Sequence, residues 1–139
     1  MRVAITGATG NVGTSVLAAL AGDPAVTSIV GIARRAPTVA LPKVEWRTAD
    51  VVRDDLMPVF RAADAVVHLT WIVQPNHRET DLRAVNVGGS RRVHEAVAAS
   101  EVPVLVHASA ACQPSLTCPV SASRPSTPTT SETPTGGRW

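Results

Sequence analysis

The chain has 139 residues, 45% of them hydrophobic, and a formal net charge of +2 at pH 7. This length suits one domain with a packed core, and the scattered arginines exclude an extended nucleic-acid-binding surface. No apolar run is long enough to span a bilayer, and the N-terminus enters a strand pattern without the features of a signal peptide. We therefore predict a cytoplasmic protein that binds neither nucleic acid nor membrane.

Short apolar runs alternate with helical patterns from residue 1 to about residue 112. The strand-like runs are Val3–Ile5, Ser28–Ile32, Val44–Arg47, Ala65–Leu69 and Val104–His107. The helical patterns are Asn11–Ala21, Asp55–Ala62 and Thr80–Ser100. Most of the strands are nearly continuous in apolar character, which is typical of parallel strands buried on both faces. This order predicts an α/β fold, a doubly wound parallel sheet of about five strands with right-handed crossovers.

The C-terminal segment 113–139 differs in composition from the rest of the chain. Sixteen of its 27 residues are Ser, Thr or Pro. Such a segment buries too little surface to offset its ordering entropy, which predicts a disordered tail after a folded domain over 1–112. Cys112 and Cys118 have no second ligand pair at metal-binding spacing, so we predict no metal site.

The octapeptide TGATGNVG separates the first strand from the first helix. Gly7 would allow a tight turn, Gly10 would let a phosphate approach the backbone, and Gly13 would permit close packing of helix on strand. The N–H groups of Asn11 and Val12 would point at a pyrophosphate, aided by the positive end of the helix dipole. The motif predicts a dinucleotide site; the alternative is a glycine-rich turn without a ligand.

The chain resembles the N-terminal part of an extended short-chain dehydrogenase/reductase, of the NAD-dependent epimerase/dehydratase family. TGATGNVG resembles the TGxxGxxG loop, DAVVHL the fourth strand, NVGGSRRVHEA the helix after it, and VLVHAS the fifth strand. TAD at Thr48–Asp50, with Val51, resembles the segment that contacts adenine. The resemblance covers roughly residues 1–112 and implies an incomplete Rossmann-type NAD(P)-binding domain, with Thr9 and Leu69 also at the cofactor.

The cofactor preference depends on the end of the second strand, which reads GIARR. It lacks the acidic residue that would bind the ribose 2′-hydroxyl of NAD. Arg34 and Arg35 could instead pair with a 2′-phosphate, because guanidinium groups match phosphate oxygens. This favours NADP over NAD, the alternative being that both arginines belong to a solvated loop.

Several polar or aromatic residues near the predicted strand ends allow two interpretations each. Asp50 or the Val51 backbone could meet the adenine edge, or Asp50 could cap the short helix that follows. His68 suits a packed core position better than a catalytic one, and Trp71 could form the wall of a pocket or cover the sheet edge. Asn86 belongs to an inward-facing helical stripe, made of Leu82, Asn86, Gly89, Val93 and Val97.

Asn86 must find hydrogen-bond partners if it is buried. The resemblance implies a place near the cofactor and the active site for this side chain. The alternative is an amide that braces neighbouring backbone.

The catalytic residues of the resembled family are a Tyr that acts as general acid/base, a Lys four residues later, and a Ser or Thr. A nearby cation is needed to bring the pKa of a phenol toward neutrality. This sequence has no Tyr, and its single lysine, Lys43, lies between the second and third strands. Ser109 matches the first serine of the family's V-x-x-S-S turn and is the catalytic candidate, or else a turn hydroxyl; Ala110 takes the second position.

Three functions remain open from the sequence. The chain could derive from an oxidoreductase or epimerase acting on a carbonyl or sugar-like substrate, and be inactive alone for lack of the Tyr/Lys pair. It could be a non-catalytic NADP-sensing or interaction module, or an unstable product of a frameshift near Ala111, since twelve arginines against one lysine indicate GC-rich coding. The helix that usually helps build the family's dimer is missing, which leaves the oligomeric state open.

Overall fold

The computed structural model describes residues 1–72 and 79–108, where five parallel strands form one sheet. The strands are β1 (Arg2–Thr6), β2 (Ser28–Ala33), β3 (Val44–Thr48), β4 (Ala65–His68) and β5 (Val104–His107). The helices are α1 (Asn11–Gly22), α2 (Met57–Phe60), α3 (Glu79–Arg83), a π-helical segment (Ala84–Gly89) and α4 (Ser90–Ala99). The sheet order is β3-β2-β1-β4-β5, which confirms the predicted doubly wound parallel sheet. The predicted tail, 113–139, lies outside the described residues.

The hydrophobic core is divided between the two faces of the sheet. Successive side chains of a strand point to opposite faces, so the central strands supply both halves. One half packs against α2 and α4, and its buried members include Ala4, Val30, Ile32, Phe60, Val66 and Val93. The other half packs against α1, and its buried members include Val3, Ile5, Leu17 and Ile29. The parallel ladders set the register of the carboxyl ends, where Thr6 of β1 pairs with Ile32 of β2 and His68 of β4.

The prediction that most strands are buried on both faces is confirmed for β1, β2 and β4 and does not hold for β3 and β5. In β3 every residue is at least partly exposed, and the β5 side chains Val104 and Val106 are 45% and 52% exposed. These two strands form the two ends of the described sheet, whereas the helices cover its centre. An apolar run in the sequence therefore does not distinguish a central strand from an outer one.

The predicted long helix is present, but it contains a π-helical segment that its sequence pattern does not indicate. The inward stripe is confirmed: Gly89, Val93 and Val97 are buried, while Leu82 and Asn86 are half-buried. Among the described helices, none combines the length and the apolar character that a membrane crossing requires.

Candidate functional site

The glycine loop connects β1 to α1 and has two positions at which only glycine fits, Gly7 by backbone conformation and space and Gly13 by space. Gly7 has a φ of 72°, and a Cβ there would lie 2.8 Å from the Leu69 carbonyl carbon. A Cβ on Gly13 would overlap the Gly7 carbonyl oxygen and lie 2.7 Å from the Ala8 carbonyl carbon. The loop is thus pressed against the end of β4 on one side and against the first turn of α1 on the other.

Backbone hydrogen bonds hold this loop against the sheet. The Gly7 and Ala8 N–H groups both donate to the Ile32 carbonyl of β2, at 3.1 and 3.4 Å. The Gly10 N–H donates to the Gly7 carbonyl at 3.0 Å, which closes the turn before the helix. Asn11 and Val12 follow in the first turn of α1, where N–H groups lack intrahelical acceptors. Both residues are exposed to solvent, Val12 by 61%.

A groove of about 210 Å³ lies at the carboxyl ends of the strands, beside the glycine loop. Seven predicted cofactor residues line it, namely Gly7, Thr9, Gly10, Arg34, Asp50, Val51 and Leu69. Trp71 also lines it, which agrees with the interpretation of this residue as a pocket wall. Sequence reasoning missed Thr70, Ile72 and Val85, which complete the same wall but belong to no motif. The groove is therefore assembled from five separate parts of the chain.

A second recess, of about 380 Å³, adjoins the groove where β2 ends. Thr9, Arg34 and Arg35 line it, and both arginine side chains are exposed. Arg34 and Thr9 also line the groove, so the groove and the recess share these two residues. The described residues that line the recess include no carboxylate, and its electrostatic character is cationic.

The loop after β3 forms the opposite wall and is held by its own aspartates. The Asp50 carboxylate accepts the Val52 N–H at 2.9 Å, and the Asp54 carboxylate accepts the Asp50 N–H at 2.7 Å. The N–H at the start of α2, that of Met57, donates instead to Asp55, at 3.0 Å. Asp50 therefore shapes its own turn, and it is Asp55 whose side chain bonds the first N–H of α2.

Asn86 lies in the π-helical segment and braces the chain after β4. Its Oδ1 accepts the Ile72 N–H and its Nδ2 donates to the Ile72 carbonyl, both at 2.8 Å. One amide therefore satisfies both backbone groups of a residue in the groove wall. π-helical segments occur frequently at functional sites. Asn86 was predicted to lie near the cofactor; the structure shows it in contact with the groove wall, in the bracing role that was the alternative.

His68 ends β4 and is fully buried, in agreement with its interpretation as a core histidine. Its Nδ1 lies 2.6 Å from Thr6 Oγ1 and its Nε2 lies 2.9 Å from Ser90 Oγ. A neutral imidazole has one donor and one acceptor nitrogen, and the two hydroxyls can match either. Burial, and then the positive charges of His107 and His94, lower the pKa of His68 to about 4.

His68 belongs to a cluster of three histidines contributed by β4, α4 and β5. The ring centroids of His68 and His107 are 4.8 Å apart, and His94 Nε2 lies 2.8 Å from His107 Nδ1. Burial and the nearby His94 also lower the pKa of His107. The cluster joins the helix to the sheet, and no sequence motif indicated it.

Of Lys43, Ser109 and Ala110, which were compared with the family's catalytic positions, the structure describes Lys43 alone. Ser109 and Ala110 lie outside the described residues. Lys43 precedes β3, has a φ of 62°, and donates from Nζ to the Asp23 carbonyl at 2.9 Å. Lys43 therefore lies at the amino ends of the strands, whereas the groove lies at their carboxyl ends.

Comparison with known proteins identifies relatives of the whole described fold. The sequence model of the NAD dependent epimerase/dehydratase family matches residues 3–137. An L-arabinose 1-dehydrogenase (NAD(P)+) of Haloferax volcanii is 38% identical over 108 residues, which make up 78% of this chain and 40% of that protein.

Two solved structures share the fold. A short-chain dehydrogenase/reductase superfamily protein from Agrobacterium tumefaciens with bound NAD is 29% identical, with a TM-score of 0.67, over 79% of this chain and 33% of that one. Uronate dehydrogenase from Agrobacterium tumefaciens is 24% identical, with a TM-score of 0.65, over 78% and 40%. This chain thus spans less than half the length of each relative.

Proposed function

We propose, because this chain belongs to the NAD dependent epimerase/dehydratase family, that its groove binds a nicotinamide dinucleotide. The single observation that carries the proposal is the cradle made by the glycine loop. A Cβ at Gly7 or Gly13 would meet backbone atoms within 3 Å, so the glycines let the loop pack tightly between the end of β4 and α1. This packing leaves the N–H groups at the start of α1 at the groove, where they can hydrogen-bond a pyrophosphate that the helix dipole also stabilises.

We further propose that NADP binds more tightly than NAD. Arg34 and Arg35 line a recess that adjoins the groove and that is free of carboxylates among the described residues lining it. Two guanidinium groups can hold a 2′-phosphate, whereas a ribose 2′-hydroxyl gains little from them. The relatives do not decide the preference, since one is named for NAD(P)+ and another was solved with NAD.

The preference is tested by titrating the full chain with NADP+ and NAD+ and repeating the titration with the double variant Arg34→Ala/Arg35→Ala. We expect NADP+ affinity to fall by about 100-fold, since charge-assisted hydrogen bonds are worth roughly 1.5–3 kcal/mol each. NAD+ affinity should change little. Arg61→Ala, an exposed arginine after α2, is the control for a loss of positive charge. Equal or tighter binding of NAD+ by the unaltered chain would contradict the preference.

The chemistry of the parent enzyme is proposed from the relatives, which are named for the oxidation of sugars or sugar acids. When bound, the nicotinamide supplies a hydride acceptor. The residues of this chain would hold the dinucleotide and orient it against the wall formed by Trp71 and Ile72. We propose that this chain alone binds without turnover, because it contains no Tyr to exchange the proton of a sugar hydroxyl. Measured turnover by the pure chain would refute this part.

A further inference from the structure

Arg92, on α4, makes three hydrogen bonds to one loop. Its Nε donates to the Val51 carbonyl at 3.2 Å, and its Nη2 donates to the Arg53 and Asp54 carbonyls at 3.4 and 2.8 Å. The bonded residues follow β3, and Val51 lines the groove. A planar guanidinium with five donors is suited to collecting several carbonyls at once. The contact therefore joins a helix on one face of the sheet to a wall of the groove.

The π-helical segment that leads into α4 contacts the same loop through its last residue, Gly89. A Cβ on Gly89 would lie 2.8 Å from Val51 Cγ2, so the glycine leaves space for the buried Val51 side chain. The aspartate turns of Asp50 and Asp54 fix the internal shape of the loop. They do not join the loop to α4. Arg92 makes that connection by hydrogen bonds, and the Val51 side chain makes it by packing in the same core cluster as Val93 and Val97.

Arg91 provides a contrast on the adjacent position of α4. It pairs with Glu95 at 3.2 Å, and the two side chains are 77% and 62% exposed. Exposed pairs of this kind contribute little to stability. Two neighbouring arginines of equal charge thus have different partners: a solvent-exposed carboxylate for one, and three loop carbonyls for the other.

We propose that Arg92 is a positioning residue that sets the place of the adenine half of the dinucleotide. The proposal rests on the proposed function and on the sequence resemblance by which Asp50 or the Val51 backbone meets the adenine edge. Without the guanidinium, the three loop carbonyls hydrogen-bond to water instead, and the backbone at Val51 samples more conformations. Affinity then falls because binding must order the loop again. The effect is confined to ligands that carry adenine.

The test compares Arg92→Gln with Arg91→Gln in the full chain, since both remove one positive charge from consecutive positions of α4. Three ligands are titrated: NADP+, 2′,5′-ADP and nicotinamide mononucleotide. We expect Arg92→Gln to weaken the first two by about tenfold and to leave the third unchanged. Arg91→Gln should leave all three unchanged. A general loss of folding would weaken all three ligands alike, so the ratio between the adenine and nicotinamide ligands reports positioning.

A second variant keeps the inference testable if Arg92→Gln does not fold. Gly89→Ala adds to the π-helical segment before α4 a Cβ that displaces Val51. It should lower the affinity for 2′,5′-ADP more than the affinity for nicotinamide mononucleotide. If the unaltered chain binds none of the ligands, the proposed function fails and this inference fails with it. If the unaltered chain binds and Arg92→Gln behaves as Arg91→Gln, only the role of Arg92 is refuted.

Discussion

Acid should weaken the fold through His68, and the size of this effect follows from its surroundings. The side chain is 0% exposed and its two ring nitrogens lie next to the hydroxyls of Thr6 and Ser90. Burial lowers the pKa from 6.5 in the unfolded chain to about 4 in the folded one. Between these two values the unfolded chain binds a proton that the folded chain refuses, so the free energy of unfolding falls as the pH falls.

The magnitude can be worked out from the two pKa values of His68. The full difference between the two pKa values corresponds to a loss of roughly 3 kcal/mol in the free energy of unfolding. This loss is complete only at a pH below the pKa of the folded state. Between pH 7.5 and pH 5.0 the free energy of unfolding should decrease by about 2 kcal/mol from this residue alone. That is a large fraction of the stability of a small domain.

The assay is urea unfolding followed by far-UV circular dichroism, at both pH values, for the unaltered chain and for His68→Asn. Asn retains hydrogen-bonding groups for the two hydroxyls but does not titrate. Carboxylates and His107 remain in both proteins, so the difference between their pH dependences isolates His68. We expect the variant to lose about 2 kcal/mol less than the unaltered chain. An equal loss, or an NMR titration of His68 with a midpoint near 6.5, would refute the reasoning.

Two further substitutions test the walls of the groove. Gly13→Ala places a Cβ 2.7 Å from the Ala8 carbonyl carbon, and we expect this overpacking to lower the free energy of unfolding by about 1–3 kcal/mol and to weaken NADP+ binding in a titration. Gly22→Ala is the control, because its Cβ would meet open space on the same helix, and it should change neither quantity. Equal effects of the two substitutions would contradict the role of the glycine loop. Asn86→Ala removes both bonds to Ile72 and should lower the free energy of unfolding by about 1–3 kcal/mol in urea titrations. Asn86→Asp keeps the acceptor but sets a carboxylate oxygen against the Ile72 carbonyl, so it should lose at least as much as Asn86→Ala. Unchanged stability in both variants would show that the bracing contributes nothing.

Local patterns explain why much of the fold could be predicted. Each strand needs only a short β-branched run, and a continuous glycine motif marks the start of α1. Gly13 is required by contacts with Gly7 and Ala8, which are close in the chain, although Gly7 is also required by the distant Leu69. The Rossmann order follows because strands and helices alternate and because right-handed crossovers leave few arrangements. The exposure of Val104 and Val106 could not be predicted, because it depends on which strands become neighbours in the sheet and not on the amino-acid sequence of β5 itself.

The residues of the candidate site also fall into those that local sequence predicts and those that only tertiary contacts bring together. The glycine loop and the arginines after β2 were identified because each is a continuous motif, although their binding of a cofactor remains a proposal. Thr70, Ile72 and Val85 were missed because they line the groove only after β4 and the long helix are brought together. The choice between two roles for Asn86 also needed the position of Ile72, fourteen residues away.

The amino-acid pattern alone determined the elements, their order and the phosphate-type turn, because these depend on backbone conformation and on residues close in the chain. Only the tertiary structure decided what Arg92 and His68 contact. Arg92 reaches carbonyls 38 to 41 residues away, and His68 reaches Thr6 across 62 residues. Such partners are chosen by helix packing and strand register, which place a side chain next to groups that its sequence neighbours cannot specify.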